Sequence, residues 1–222
     1  MGPRAPGDPP TERTRVRRLP ERGVYDREGV YEILDAGFLC HVGFDPGHGP
    51  VVLPTLYGRS GDTLYIHGSP VAGMLRSMRK SIPACVTVTH VDGIVLARSL
   101  FHHSMNYRSV VVFVVPEEVT DVTEKLSALE VISENIVPGR WAEARKPNTS
   151  EFTQTIVLKF PLDEASAKVR TGPPGDDEDD YALDVWAGVL PLRQIAGQPE
   201  ADPRLAPDTP VPLYLSQMVE PG

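Results

Sequence analysis

Several features that would identify a class of protein at once are scarce in this sequence. Only two cysteines occur among the 222 residues, Cys40 and Cys85, each inside an apolar run and without CxxC spacing. This argues against both a disulfide framework and a thiolate metal site. No apolar run reaches the roughly 18 residues of a transmembrane helix, and the first residues are rich in proline and arginine instead of apolar. We therefore expect a soluble, cytoplasmic protein with buried thiols and no contact with a membrane.

Positive charge is also in deficit, since the formal net charge is −8. That balance argues against broad binding to the phosphate backbone of nucleic acids. Hydrophobic residues make up 41% of the chain, enough for a real core, while 23 prolines and 19 glycines indicate many turns and extended ends. We divide the chain into a flexible N-terminal tail, residues 1–20, a folded domain, residues 21–195, and a proline-rich C-terminal extension, residues 196–222.

The order of apolar patterns predicts strands with short helices between them. Asp26 and Asp121 have the character of helix N-caps and precede apolar residues at helical spacing. Strands are predicted at residues 38–44, 51–57, 64–66, 84–90, 94–98, 109–115, 154–162 and 183–192. The expected fold is an all-β barrel with helical decoration.

Three features of these strands and their connections lead to specific predictions. Pro54 in the strand at 51–57 predicts an edge, a bulge or a ligand in place of a strand partner. Asp92-Gly93 between two apolar runs predicts a hairpin turn. The run at 109–115 is the most apolar in the chain and predicts a central strand that is buried on both faces.

The chain is organised around residues 64–76, which are typical of a strand, a tight turn and a helix start. Ser69 is expected to cap the helix, with Pro70 at its first position. The buried stripe of this helix would consist of Val71, Met74, Leu75 and Met78. Free N–H groups, the Ser69 hydroxyl and the nearby cation of Arg76 would together form an anion site. The alternative is an ordinary strand–helix junction with a solvated basic face.

Other polar residues allow both a functional and a structural interpretation. His67 at the strand end can donate to a substrate, assist proton transfer or ligate iron, or it can be a hydrogen-bonded structural histidine. Arg108 can contact a phosphate or anchor a local carboxylate. Lys168 and Arg170 share one face of an extended segment, and the acidic run at 176–180 is their local alternative partner. We interpret that run as a solvated loop, and no metal site is expected.

Three segments in this order resemble the FMN-binding split-barrel superfamily, also called the pyridoxamine 5'-phosphate oxidase-like family. They are Leu-Tyr-Ile-His-Gly-Ser at 64–69, Asn-Tyr-Arg-Ser-Val-Val-Val-Phe at 106–113 and Ser-Ala-Lys at 166–168. The resemblance covers roughly residues 22–192 and is closest to the nitroimidazole-reductase-like branch. Two positions depart from the family: Val114 stands where glycine is common, and the arginine- and histidine-rich C-terminal signature is missing. Pyridoxamine 5'-phosphate oxidation itself is therefore not expected.

The resemblance implies a homodimer that holds FMN at its interface with residues from both subunits. In similar proteins the strand matching Pro54 and Thr55 lies along the isoalloxazine ring. The turn and helix that follow hold the ribityl phosphate, and here they contain His67, Ser69, Ala72 and Arg76. The remaining positions lie near the ring or come from the partner subunit; they are Tyr107, Arg108, Ser109, Lys168 and Trp186. By its residue type alone, Trp186 is a core or interface residue, and with flavin bound it can also stack on the ring.

The implied function is an FMN-dependent oxidoreductase that acts on an unidentified small molecule, with His67 as the catalytic residue. One alternative is a protein that binds flavin or haem without turnover, with His67 as an axial ligand. The other is the same barrel with a deazaflavin cofactor. The sequence names no substrate.

Overall fold

Two antiparallel sheets and a few helices make up the computed structural model, which describes residues 7–219. The strands are β1 (Gly23–Val24), β2 (Leu39–Phe44), β3 (Val51–Leu56), β4 (Gly58–Ser60), β5 (Thr63–Gly68), β6 (Ala84–Leu96), β7 (Ser104–Val114), β8 (Glu117–Glu118), β9 (Ile156–Pro161), β10 (Ala165–Arg170) and β11 (Gly188–Pro191). The α-helices are α1 (Arg27–Asp35), α2 (Gly73–Met78), α3 (Val122–Ile136), α4 (Arg140–Glu143), α5 (Thr149–Thr153) and α6 (Leu213–Met218). The predicted all-β fold with helical decoration is confirmed.

The larger sheet has the order β1-β10-β7-β6-β2-β3, with β11 paired to β6 as well, and the smaller has the order β4-β5-β9-β8. The chain passes from β3 in one sheet to β4 in the other through Tyr57. The side chain of Tyr57 is fully buried, and its hydroxyl donates to the carbonyl oxygen of Leu34. The Asn135 amide of α3 donates to the carbonyl oxygens of Gly37 (3.0 Å) and Tyr57 (2.9 Å). These bonds fix the point where the two sheets separate.

Local sequence signals fix the two longest helices. The Asp26 carboxylate accepts from the backbone N–H of Gly29 at 2.8 Å, and the Asp121 carboxylate accepts from that of Glu124 at 2.8 Å. Each bond satisfies one of the free donors at a helix start. Both predicted N-caps are confirmed.

The core lies between the two sheets and α1. Its largest fully buried side chains are Tyr57, Phe160, Leu34, Leu64, Ile66, Leu75, Met78, Ile132, Leu158 and Leu162. Each large aliphatic side chain buried in this way stabilises the fold by roughly 1.5–3 kcal/mol. These core residues run from Leu34 to Leu162, which is most of the segment that resembles the family.

Strand β7 is central, as predicted, but only one of its faces lies in the core. Val110 and Val112 are buried, whereas Val111 and Phe113 on the other face are only half-buried. That outer face is covered by the N-terminal segment instead of a second layer of strands, and the Arg13 guanidinium lies 5.0 Å from the centre of the Phe113 ring. The expectation of a strand buried on both faces was wrong, because continuous hydrophobicity does not distinguish a full layer from a partial cover.

Asp92-Gly93 forms a bulge and not the predicted hairpin turn. Strand β6 runs through these residues and pairs with β7 along its length, with a register shift between Val91 and Gly93. The Asp92 carboxylate accepts from Arg108 on β7 at 3.0 and 2.9 Å. A Cβ at Gly93 would lie 2.9 Å from Val189 of β11. The dipeptide therefore lets the strand bend and lets β11 approach closely.

Both ends of the described chain contact the domain. Thr14 is buried, and the backbone N–H of Val16 donates to the Tyr25 hydroxyl at 2.8 Å. Near the other end, Arg140 of α4 donates to the hydroxyl of Tyr214 in α6 at 3.0 Å. Within the predicted tail at 1–20, residues 13–18 thus lie against strands β7 and β10, and the first six residues lie outside the described part.

Both cysteines are free thiols, as predicted. Burial raises the pKa of the Cys40 thiol to about 12, so this group stays protonated at neutral pH. Cys85 is only half-buried. Within residues 7–219, no helix has the length and apolar character needed to cross a bilayer.

Candidate functional site

Strand β3 forms one edge of the larger sheet, as Pro54 predicted. It pairs with β2 on one side, with Pro54 opposite His41, and within residues 7–219 no strand pairs with its other side. Apolar side chains along it are exposed, including Val52 at 62%. Pro54 is exposed and Thr55 is half-buried. An edge with open backbone donors and acceptors beside apolar side chains suits a flat ligand that has both characters.

His67 of β5 lies beside the end of this edge. Strand β4 continues β3 and pairs with β5, with Gly58 opposite Tyr65. His67 stands two residues after Tyr65, near the end of β5. The two strands β3 and β5 are indeed in contact. The fold therefore brings the predicted catalytic histidine to the exposed edge strand.

The imidazole of His67 is accessible yet closely surrounded. Desolvation by the neighbouring protein lowers the pKa of His67 below its ordinary value of 6.5. The ring is therefore neutral at neutral pH, with one nitrogen as donor and the other as acceptor. No hydrogen bond from another described residue holds it, whereas the His90 ring is held by the carbonyl of Ile33 at 2.9 Å. His67 is thus available to a ligand.

The turn after β5 differs from the prediction. Residues 69–72 form a turn in which the Ala72 N–H donates to the Ser69 carbonyl at 3.0 Å. Pro70 occupies the second position of this turn, where its fixed φ is favourable. The helix α2 begins only at Gly73, with Ala72 as its N-cap and no side-chain cap. The expectation that Ser69 caps the helix and Pro70 starts it was wrong, because the same residue pair also suits a turn.

The arginines within α2 and at its end differ in what they contact. Arg76 is exposed and forms no ion pair with any described residue, whereas Arg79 donates to Glu118 at 2.7 Å. The predicted stripe is buried at Met74, Leu75 and Met78. Its fourth member, Val71, is 80% exposed because it lies in the turn before the helix. Arg76 is therefore the cation of this helix that remains available to an anion beside the turn.

Arg108 and Ser109 are engaged within the larger sheet. The Arg108 guanidinium makes the two-fold contact with Asp92 described above, and this hydrogen-bonded carboxylate raises the pKa of Arg108. Of the two interpretations of Arg108, the structure thus shows the local carboxylate anchor. The Ser109 hydroxyl donates to the carbonyl of Lys168 at 3.3 Å. Trp186 lies before β11, outside the strand in which it was expected, and is 68% exposed.

Tyr107 and Lys168 line a separate open cavity of about 1210 Å³. It lies where β7 and β10 meet the N-terminal segment, and none of its lining residues belongs to β3, β5 or α2. The fold therefore separates most of the predicted site residues into two groups, and Arg108, Ser109 and Trp186 belong to neither. One group surrounds the β3 edge and the turn at 69–72, and the other belongs to this basic cavity.

The acidic run at 176–180 is not the partner of Lys168 and Arg170. Asp176 accepts from the backbone N–H of Arg98 at 2.8 Å and from its side chain at 3.1 Å. Asp177 lies 3.3 Å from the imidazole of His102. Proximity in sequence suggested the wrong cations, because the connection between β6 and β7 brings Arg98 and His102 to this loop.

Sequence reasoning did not find Arg22 or Asn106, which also belong to the cavity region. Arg22 precedes Gly23, which pairs with Lys168 across β1 and β10. Asn106 is buried on β7 and accepts from the side chain of Arg170. These contacts come from strand pairs distant in sequence, so no local pattern could have shown them.

Two sheets that separate at one segment, with an exposed edge strand beside a histidine and a tight turn, form the arrangement of a split barrel. The profile of the family described as pyridoxamine 5'-phosphate oxidase matches residues 26–169. The chain belongs to this pyridoxamine 5'-phosphate oxidase-like family. Among curated protein sequences, none matches the chain.

Solved structures give more specific similarities. The flavocytochrome Anf3 from Azotobacter vinelandii is 39% identical, with 95% of this chain and 98% of that chain covered and a TM-score of 0.89. The FAD and heme binding protein from Mycobacterium smegmatis is 36% identical, with 89% and 97% covered and a TM-score of 0.85. A proposed 5-nitroimidazole antibiotic resistance protein from Bacteroides thetaiotaomicron is 25% identical, with 66% and 86% covered and a TM-score of 0.56.

Proposed function

We propose that this protein is a flavin-dependent oxidoreductase that acts on a small molecule at the exposed edge of β3. The observation that carries the proposal is the open apolar edge strand with an accessible, neutral His67 beside it. The flavin supplies the redox chemistry, and the protein binds it, orients it and excludes water. Pro54 and Thr55 would contact the ring. The turn at 69–72, with Arg76, would hold the phosphate.

FMN and FAD are both candidates for the bound flavin. The family resemblance implies FMN, whereas the Mycobacterium smegmatis relative is named for FAD. FAD contains the whole FMN group, so the contacts proposed for the ring and the first phosphate apply to both. A deazaflavin would occupy the same edge and differ in its absorption.

Haem is a second candidate cofactor, bound in addition to flavin. The observation that favours it is that two relatives, similar over most of their length, are named a flavocytochrome and a FAD and heme binding protein. His67 offers a neutral imidazole to which no residue within 7–219 forms a hydrogen bond, and the neutral form is the one that ligates iron. With both groups bound, electrons could pass between flavin and haem within one protein.

The test is the absorption spectrum of the untagged protein as purified, followed by chromatography of the released cofactor. A flavin spectrum that bleaches on addition of a reduced nicotinamide nucleotide supports the oxidoreductase. A Soret band in the same sample supports haem binding. A protein that neither carries nor takes up any flavin would overturn the proposal.

We propose further that the functional unit is a homodimer, formed through the outer face of the larger sheet. Leu39, Val52, Pro54 and Leu56 share this face and are exposed. Covering such a surface favours association, and a two-fold dimer covers the same patch on both subunits.

Light scattering should give twice the mass of one chain, and Val52→Glu should shift the protein towards monomer, because it introduces two charges into one interface. Val122→Glu is the matched control, since Val122 is 66% exposed on α3, away from this face. A wild-type monomer with flavin bound at micromolar concentration would contradict the prediction.

His67→Ala should keep the flavin and slow turnover about a hundredfold or more, the usual contribution of a positioned acid or base. Because the pKa of His67 is lowered, its neutral form persists down to below pH 6.5, so the acid limb of the wild-type pH profile should lie below that value. This limb should vanish in the variant. The measurement is steady-state turnover against pH with the fastest substrate found for the wild type.

His48→Ala is the control, because His48 lies exposed in the loop between β2 and β3. Loss of flavin from His67→Ala without any other kinetic defect would show instead that the histidine is a cofactor ligand.

A further inference from the structure

A histidine and two aspartates come together where the connection between β6 and β7 meets the loop after β10. One ring nitrogen of His102, one carboxylate oxygen of Asp177 and one of Asp180 all lie within 4.8 Å of one another. His102 ends the short 3-10 helix Leu100–His102, whereas the two aspartates lie in the loop after β10. The group therefore joins two segments that are remote in the chain, so local sequence could not have predicted it.

Asp176, which begins the acidic run, holds the two segments together and is not part of the group. Its side chain is buried and accepts from the backbone N–H groups of Arg98 (2.8 Å) and Ser99 (3.3 Å). It also accepts from the Arg98 guanidinium at 3.1 Å, and this guanidinium lies 4.8 Å from the centre of the Tyr181 ring. The loop is therefore anchored on either side of the two aspartates, independently of any bound ion.

The two aspartates of the group have no strong cation as a partner. Within residues 7–219 no lysine or arginine forms an ion pair with Asp177 or Asp180, and the contact of Asp177 is with the His102 imidazole, whose Nε2 lies 3.3 Å away. Two carboxylates close together repel each other, and a cation between them removes that repulsion. Glu178 and Asp179 of the same run do not belong to the group, so the arrangement is more specific than the run as a whole.

The distances agree with the coordination of one small cation. Zinc binds imidazole nitrogen and carboxylate oxygen at roughly 2.0–2.2 Å, so two ligand atoms on one ion lie about 3–4 Å apart. The 3.3 Å between His102 and Asp177 already meets this condition, and Asp180 needs only a small side-chain rotation to join them. One nitrogen and two oxygens suit a transition metal such as zinc better than magnesium or calcium, which prefer oxygen ligands alone.

We propose that His102, Asp177 and Asp180 bind a divalent transition-metal ion, with water completing its coordination. The site is separate from the flavin edge, because none of the three residues belongs to β3, β5 or α2. His102 also lines the basic cavity, so the ion would lie at the border of that cavity. Its role is to clamp the loop after β10 onto the connection between β6 and β7, and no step of the proposed redox reaction requires it.

The test is calorimetric titration of zinc into the untagged full-length protein after removal of metal with EDTA, with magnesium titrated in parallel. We expect zinc to bind more tightly than magnesium. Even the loss of a group that only orients a ligand weakens metal sites about ten- to hundredfold. His102→Ala and Asp180→Asn should therefore each raise the zinc dissociation constant at least about tenfold. Asp179→Asn is the matched control, because it removes the same charge from the same turn but lies outside the group; it should leave the zinc affinity nearly unchanged.

Zinc should also raise the midpoint of thermal unfolding by about 5–10 °C at a hundredfold excess over its dissociation constant, because it binds the folded state. This rise should be lost in both ligand variants and kept in Asp179→Asn. A wild-type protein that binds no zinc, or unchanged zinc affinity in His102→Ala and Asp180→Asn, would overturn the proposal. Equal weakening by Asp179→Asn would overturn it as well, since that result describes a diffuse attraction to the acidic run. None of these measurements involves flavin or turnover, so their failure is distinguishable from failure of the proposed oxidoreductase function.

Discussion

Arg76→Ala should raise the dissociation constant for FMN about ten- to hundredfold and change that for riboflavin far less. Only FMN carries the phosphate dianion that an unpaired cation beside the turn at 69–72 would bind. Arg76 is exposed, and within the described residues it has no competing carboxylate. Helix α2 has only six residues and no side-chain cap, so the side-chain charge should contribute more than the helix start. Titration of the flavin-depleted protein with both flavins measures the difference.

Lys80→Ala is the appropriate control, because Lys80 is an exposed cation just beyond the same helix. Arg79 is less suitable, since its removal would also leave Glu118 without its partner. Equal weakening of FMN and riboflavin would assign Arg76 a role in packing. If Lys80→Ala were the harmful change, or if neither change mattered, the phosphate would lie elsewhere than beside Arg76.

Gly58→Ala should lower the free energy of unfolding by about 3 kcal/mol, the upper part of the usual range for overpacking. Gly58 begins β4, directly after the chain leaves the larger sheet, and lies against α3. A Cβ at this position would meet the Ile132 Cα and N atoms and the Val131 carbonyl oxygen, all at 2.7 Å. Those are backbone atoms, so the helix itself would have to move. Thermal unfolding at fixed protein concentration should show a midpoint about 6–12 °C lower.

Gly43→Ala is the matched control within a strand. Its Cβ would meet the carbonyl oxygen of Cys85 at 3.6 Å and the Val52 side chain at 3.7 Å, which are ordinary contacts. We expect a change within about 1 kcal/mol, the difference in backbone freedom between glycine and alanine. A Gly58→Ala protein as stable as Gly43→Ala would show that α3 can shift away from β4 without loss.

Patterns of a few residues were sufficient to predict the structure wherever only one local structure fits the pattern. Asp26 and Asp121 mark helix starts because their carboxylates bond backbone groups three residues later. Pro54 marks an edge strand because it has no N–H to give to a second neighbour. Where one residue pair suits two local structures, the prediction from local sequence was wrong. Asp92-Gly93 suits a turn or a bulge, and Ser69-Pro70 suits a helix start or a turn.

By itself the sequence determined the family, the succession of strands and helices, and His67 and Arg76 as neighbours of one turn, because these depend on contacts within short segments. Only the tertiary structure decided that Asp92 and Gly93 stay within β6, since the partners that hold them belong to β7 and β11. The tertiary structure also formed the basic cavity, because the pairing of β1 with β10 brings Arg22 and Arg170 to line the same cavity. Strand pairing joins residues that are remote in the chain, and the burial and charge that result from it depend on the whole fold and not on any single segment.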